Sequence, residues 1–392
     1  MSTESPTLNA GGSAAGEAVK VSPGVRGLSG SGRDARLDAL RGLMLVVIGL
    51  EHLGALAYNP FGFTSTAEGF VFLSGYVAGM VYGRVRLRAG QEALWRRASR
   101  RAVQIYGYHM AVFICLLAAV ALGLLRREFF EGWVPLFYEK PWVALLLGTA
   151  LTYQPTFLDI LPMYCVFILL TPLVVGRFMR GQFAVVLALS SVAWVGSQLG
   201  LRAALAWLIS GGLPINLGAF DVFGWQALFV FGILFGFRRC DGEDAPGCTN
   251  AWVSVLACVA VVVFFALRHD LLFTGGSAAL WPMADKTELG PLRVADFAAL
   301  AFLVGQRVLW PTGAPWVRGL AYLGRSSLQV FSFNIVCVYA LRGLFGTWEG
   351  QAEWTRVVAI LICMVALYLP AWAHQRWRDM AGKTSNSLRA AS

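Results

Sequence analysis

Charge is what this sequence has least of. Only 14% of its 392 residues are Asp, Glu, Lys or Arg, against about a quarter in an average soluble domain. Hydrophobic residues make up 57%, and mean hydropathy is +0.62. These values exclude an ordinary soluble enzyme and leave a polytopic membrane protein. Histidine is nearly as scarce. There are four, and no pair has metal-ligand spacing. The seven cysteines form no disulfide framework: Cys115, Cys165, Cys258, Cys337 and Cys363 fall in apolar spans, and Cys240 and Cys248 lack the spacing of a zinc site. No Gly-x-Ser-x-Gly nucleophile elbow occurs. Internal repeats and matched pairs of broken helices are missing too, which counts against a common transporter design. The net charge of +10 does not imply nucleic acid, because the basic residues flank apolar spans instead of forming one stripe.

What is present is a series of long apolar segments. Ten spanning candidates lie near 37–57, 67–83, 103–125, 157–176, 183–199, 220–237, 251–268, 293–310, 320–341 and 355–373. Several are Gly-rich, which suits close helix packing. The run 141–151 is too short to cross and reads as a re-entrant or interfacial segment, with 202–210 a weaker candidate for the same role. The expected fold is therefore all-α, a polytopic membrane helical bundle of about ten transmembrane helices with one short re-entrant or interfacial segment. Residues 1–33 are rich in Gly, Ser and Ala and read as a disordered tail without the apolar core of a signal peptide. The transmembrane domain is expected over 34–376, with a short tail at 377–392.

Arginine and lysine set the expected orientation. With the N-terminus in the cytoplasm, 21 basic residues fall inside and nine outside, with Arg41 and Arg307 within spans. Both termini are then cytoplasmic.

Ionisable residues at membrane depth are costly and usually mark a functional path. The first span contains Arg41 and His52, eleven residues apart. On a helix that spacing puts both on one face, roughly 16 Å apart along the axis. Arg41 can bind phosphate or carboxylate near the cytoplasmic surface. His52, deeper toward the outer half, can take a proton from an attacking hydroxyl. The plainer reading is a snorkelling arginine and a packing histidine. Glu68, at the start of the second span, is a candidate to orient His52 or bind an acceptor, or an interfacial charge facing water. The loop 84–101 holds seven arginines in eighteen residues. It is either a topology signal or a cradle for donor phosphates, with Arg97, Arg100 and Arg101 best placed. Asp159, Pro162 and Tyr164 suggest an outward-facing polar pocket, although Asp159 also suits a helix cap. Trp225 and Gln226 are candidates for contacting a sugar near the outer face, or an interfacial anchor.

Several of these segments resemble one family. The Arg41-x10-His52 spacing matches a signature of the membrane acyltransferase type 3 superfamily. LDALRGLMLVVIGLEH, AEGFVFLSGYVAGMVYG, QPTFLDILPMY and WQALFVFG resemble the OpgC family, in collinear order over roughly 34–375. The resemblance implies an inner-membrane acyltransferase, with His52 as catalytic base and Arg41 positioning an acyl-CoA donor. The donor is a co-substrate, succinyl-CoA or acetyl-CoA, and no tightly bound cofactor or metal is implied. The acceptor implied is a hydroxyl of a periplasmic glycan resembling osmoregulated glucan. Partners would be the lipid bilayer, acyl-CoA, that glycan and glucan-synthesising proteins, and no nucleic acid. An Arg-x-x-Arg motif of the superfamily fits Arg97 and Arg100, or Arg101 if Gln104 replaces the second arginine. LGRSSLQVFSFN resembles a segment that often ends in His in the superfamily; here it ends in Asn334. Two rivals are acetyl or other acyl transfer to a surface polysaccharide or lipid-linked sugar, and a proton-coupled transporter or flippase using His52, Glu68 and Arg41.

Overall fold

The computed structural model describes residues 34–55, 61–211, 213, 215–240, 251–272, 275–307, 313–346, 348 and 351–391. The expected tail 1–33 lies outside them. Among the described residues the chain is helical, with one isolated bridge between Tyr153 and Asn216 and no strand. The helices are α1 (Ala35–His52), α2 (Thr66–Ala121), α3 (Arg127–Phe130), α4 (Pro135–Glu139), α5 (Pro141–Thr149), α6 (Ile160–Phe178), α7 (Phe183–Gln198) and α8 (Leu201–Ser210). They continue as α9 (Val222–Cys240), α10 (Ala251–Arg268), α11 (Gly276–Leu280), α12 (Pro291–Arg307), α13 (Pro315–Arg325), α14 (Ser327–Phe345), α15 (Glu353–Ala366) and α16 (Tyr368–Ala391).

Among the described residues six helices are long and apolar enough to cross a membrane, and α7 with α8, bent by 76°, makes a seventh if the pair is one span. The chain is a multi-pass membrane protein. The difference from ten expected spans has three local causes. The second and third segments are the two arms of α2, counted once although the helix breaks at Gly90. α1 carries Arg36, Asp38, Arg41 and Glu51, more charge than an apolar span holds. α12 is described only as far as Arg307, so the rest of the expected span 293–310 lies outside the described residues.

The arginine stretch 84–101, expected as a loop, is helical. It forms part of the 56-residue α2, which changes direction at Gly90 (φ 82°, ψ −179°). That backbone region is open essentially to glycine alone. Next to the break, Gln91 Nε2 donates to Pro172 O at 3.0 Å and ties the two-armed α2 to α6. α5 has nine residues, about 13 Å, too short for a core of about 30 Å. The expected span 320–341 divides at Ser326 into α13 and α14.

Lipid is as apolar as leucine, so helices in a membrane associate through close van der Waals packing. α2 and α9 achieve this with glycine. A Cβ at Gly75 would collide with Phe229 O, and one at Gly79 with Ile233 O. Reciprocally, Gly232 abuts Phe72 O and Gly236 abuts Tyr76 O. α1 meets α13 the same way, with Gly42 on Leu320 O and Gly324 on Asp38 O. An aromatic cluster of Phe70, Tyr164, Phe167, Phe229 and Phe331 fills the centre where α2, α6, α9 and α14 meet. By contrast α10 buries only Ala257 among its residues and presents its apolar surface outward.

Candidate active site

α1 carries the first two candidates on one unbroken helix. Asp34 starts it, its carboxylate accepting from Arg36 N at 3.0 Å. Its far end is closed by two groups from later in the chain. Trp348 Nε1 donates to Leu53 O at 3.1 Å, and Arg356 Nη2 donates to Gly54 O. Cations and N–H donors at a helix C-terminus satisfy its last carbonyls.

Arg41 Nη2 donates to Ser327 Oγ at 2.7 Å, across to the first residue of α14. Seven residues further along α14, Asn334 lies against Gly49 of α1, its Oδ1 2.9 Å from where a Cβ would stand. α14 thus runs parallel to α1, and Ser327 and Asn334 share the face that follows the interval from Arg41 to His52. Tyr164 is within electrostatic reach of Arg41. Its hydroxyl lies 3.3 Å from Ser74 Oγ on α2. These residues make a polar track inside an otherwise apolar bundle.

His52 stands at the end of that track opposite Arg41. Its ring centroid is 4.5 Å from that of Phe157, which in turn meets Trp133 edge-on. The His52 Nδ1 is buried and has no hydrogen-bond partner among the described residues. Lys286 is within electrostatic reach of His52, Glu51 and Asp159. Sequence reading counted Lys286 only as a topology marker, because its neighbours are remote in the chain.

Glu68 does not serve His52. Its Oε2 accepts from Ser65 N at 2.9 Å and from Ser65 Oγ at 2.6 Å. Its Oε1 accepts from Arg293 Nε at 2.7 Å and lies 2.5 Å from Arg293 Nη2. A carboxylate has about four lone-pair sites, and those contacts fill them. Both partners are almost wholly buried, at 0% and 1% side-chain exposure. The expectations that Glu68 orients His52, or is a water-facing charge, give way to a helix cap combined with a buried ion pair joining α2 to α12. Glu51, beside His52 in sequence, is also engaged, its Oε1 accepting from Thr66 Oγ1 at 2.9 Å.

The candidates expected at the outer face are hydrogen-bonded into the scaffold. Asp159 makes no cap bond to its own helix and instead accepts from Ala219 N at 2.7 Å. Arg202 Nη2 donates to the preceding carbonyl, Gly218 O, at 2.7 Å. Trp225 is fully buried, and its Nε1 donates to Lys286 O at 2.9 Å and to Thr287 O at 3.1 Å. Gln226 Nε2 donates to Ser190 O, and its Oε1 accepts from Ser190 Oγ, both at 2.8 Å. Trp225 and Gln226 therefore fasten α9 to the segment before α12 and to α7. Arg97 and Arg100 are exposed on the second arm of α2. Arg101 is half-buried and donates to Gln104 Oε1 at 2.7 Å. It is within electrostatic reach of Tyr82 and of His374 on α16.

No group of three or more His, Cys, Asp or Glu among the described residues is arranged to hold a metal ion. A family profile described as OpgC protein matches residues 33–379. No curated protein and no solved structure matches the chain.

Proposed function

This chain belongs to the OpgC protein family, whose members are membrane acyltransferases acting on glucans, and on that premise we propose the donor, the acceptor side and the residue roles. The donor is a short acyl-CoA, succinyl-CoA first and acetyl-CoA second, approaching from the cytoplasm. The acceptor is a hydroxyl of a periplasmic glucan. The protein resides in the bacterial inner membrane with both termini in the cytoplasm, as the excess of 21 inner over nine outer basic residues supports. Glucan-synthesising proteins are the expected source of the acceptor.

The observation that carries this reading is the polar track between Arg41 and His52, lined by Ser327 and Asn334. A guanidinium fixed by a hydroxyl is suited to hold an anionic or carbonyl group of the donor. Arg97, Arg100 and Arg101 are suited to the donor phosphates by charge. In the reaction the acceptor oxygen attacks the thioester carbonyl carbon, and the carbon–sulfur bond breaks. His52 takes the hydroxyl proton and returns it to the departing thiolate, so the products are the ester and free CoA. Among the described residues Nδ1 of His52 has no carboxylate partner, and its ring packs against Phe157.

The test is release of free CoA from succinyl-CoA and acetyl-CoA by purified protein, with and without glucan. A general base contributes typically about 10²- to 10⁴-fold, so His52→Ala should lose activity on that scale while remaining folded. Equal activity in His52→Ala would remove His52 from the mechanism. Wild-type protein that consumes neither donor would end the acyl-CoA reading.

A further inference from the structure

We infer that Asn334 supplies the amide N–H that binds the thioester carbonyl oxygen while negative charge builds on it. The inference rests on the acyl-transfer reading above and adds a catalytic residue to it. Asn334 is 1% exposed, yet neither Nδ2 nor Oδ1 has a hydrogen-bond partner among the described residues. Buried amides are nearly always paired, and an orphan calls for an explanation such as a ligand.

Position says which ligand. Gly49 precedes His52 by three residues, about 4.5 Å along the axis. The Asn334 amide therefore lies within a turn of His52 and about two turns beyond the level of Arg41. Gly49 is what admits it, because a Cβ there would come within 2.9 Å of both Asn334 Oδ1 and Met364 Cε. For His52 to deprotonate the attacking hydroxyl, the thioester carbonyl must lie beside the histidine. That is the depth at which Asn334 waits. A neutral amide suits a neutral carbonyl that gains charge only during attack. Phosphates, which are charged from the start, are better matched to the arginines. Fixed donors aimed at developing charge in a water-poor site need no reorganisation during the reaction.

The experiment measures CoA release from succinyl-CoA by the full chain in detergent for wild type, Asn334→Ala, Asn334→Asp and Gly49→Ala. Asn334→Asp keeps size but exchanges the donor for an acceptor. Gly49→Ala keeps the amide but pushes it aside, and so covers the case in which an Asn334 variant fails to fold. Loss of one oxyanion donor should lower kcat by about 10²- to 10³-fold in each variant, with KM little changed. A trifluoromethyl-ketone analogue of succinyl-CoA, which forms a tetrahedral hydrate, should bind more weakly to each variant. A thioether analogue lacking the carbonyl should bind all four proteins alike, which a merely structural role would not predict. Variants that turn over as fast as wild type, or that lose thioether binding in step with kcat, would overturn the assignment. A wild type inactive on both acyl-CoA donors would sink the acyl-transfer reading and this assignment with it. An active wild type with equally active variants sinks this assignment alone.

Discussion

Glu68 and Arg293 are separated by 225 residues in sequence and share a hydrogen-bonded ion pair with almost no solvent exposure. Removing one partner takes this ion pair away from a charge that water cannot reach. Glu68→Ala should destabilise the protein by about 3–5 kcal/mol, read as a fall in the midpoint of unfolding in detergent. Replacing both, as Glu68→Leu with Arg293→Met, should recover most of that loss, since a buried pair and a well-packed apolar pair are often of similar worth. Recovery of stability together with activity supports the scaffold role. A stable but inactive double variant would return Glu68 to the chemistry. At this scale Arg41 and His52 were legible in sequence, because charge inside an apolar run stands out. That Ser327 partners Arg41 was not, since it lies 286 positions away and carries no distinguishing signal of its own. Asn334 was visible only as the end of a segment that often ends in His in the superfamily it resembles. Its unsatisfied amide is a property of the packing around it.

At the scale of elements, the glycines at 75, 79, 232 and 236 let the α2 and α9 backbones touch. Gly79→Ala places a methyl group on Ile233 O and Phe237 N, so it should cost about 1–3 kcal/mol by overpacking. Gly107→Ala, on the second arm of the same helix with nothing within 4 Å of its Cβ position, should be neutral or slightly stabilising. Thermal unfolding of the two variants side by side checks this. Equal midpoints would show that α2 and α9 do not depend on close approach. The four-residue spacing of these glycines is plain in the sequence as a packing signal, although not which helix each one meets. The helical state of 84–101 was hidden for another reason. Arginine is a good helix former, but a dense basic run between two apolar segments reads as a loop. Gly90 alone then supplies the change of direction that a loop would otherwise provide.

For the whole molecule, orientation follows from where arginine and lysine sit relative to the apolar spans. With native cysteines replaced, Arg88→Cys should resist a membrane-impermeant maleimide added to intact spheroplasts and react only after lysis. Arg127→Cys, in α3, should react from outside. The opposite pattern would invert the proposed topology and put the donor on the wrong side. The sequence by itself determined the membrane class, the all-helical composition, the basic asymmetry and the Arg41–His52 spacing. Each of these is a local or additive property, set by hydropathy, charge and the 3.6-residue turn. Only the tertiary structure decided that Glu68 belongs to Arg293, that Trp225 and Gln226 tie α9 to α7 and to the segment before α12, and that Ser327 and Asn334 face α1. These depend on which helices become neighbours. That choice is made by backbone contact at glycines and by pairing of buried polar groups, interactions between positions hundreds of residues apart.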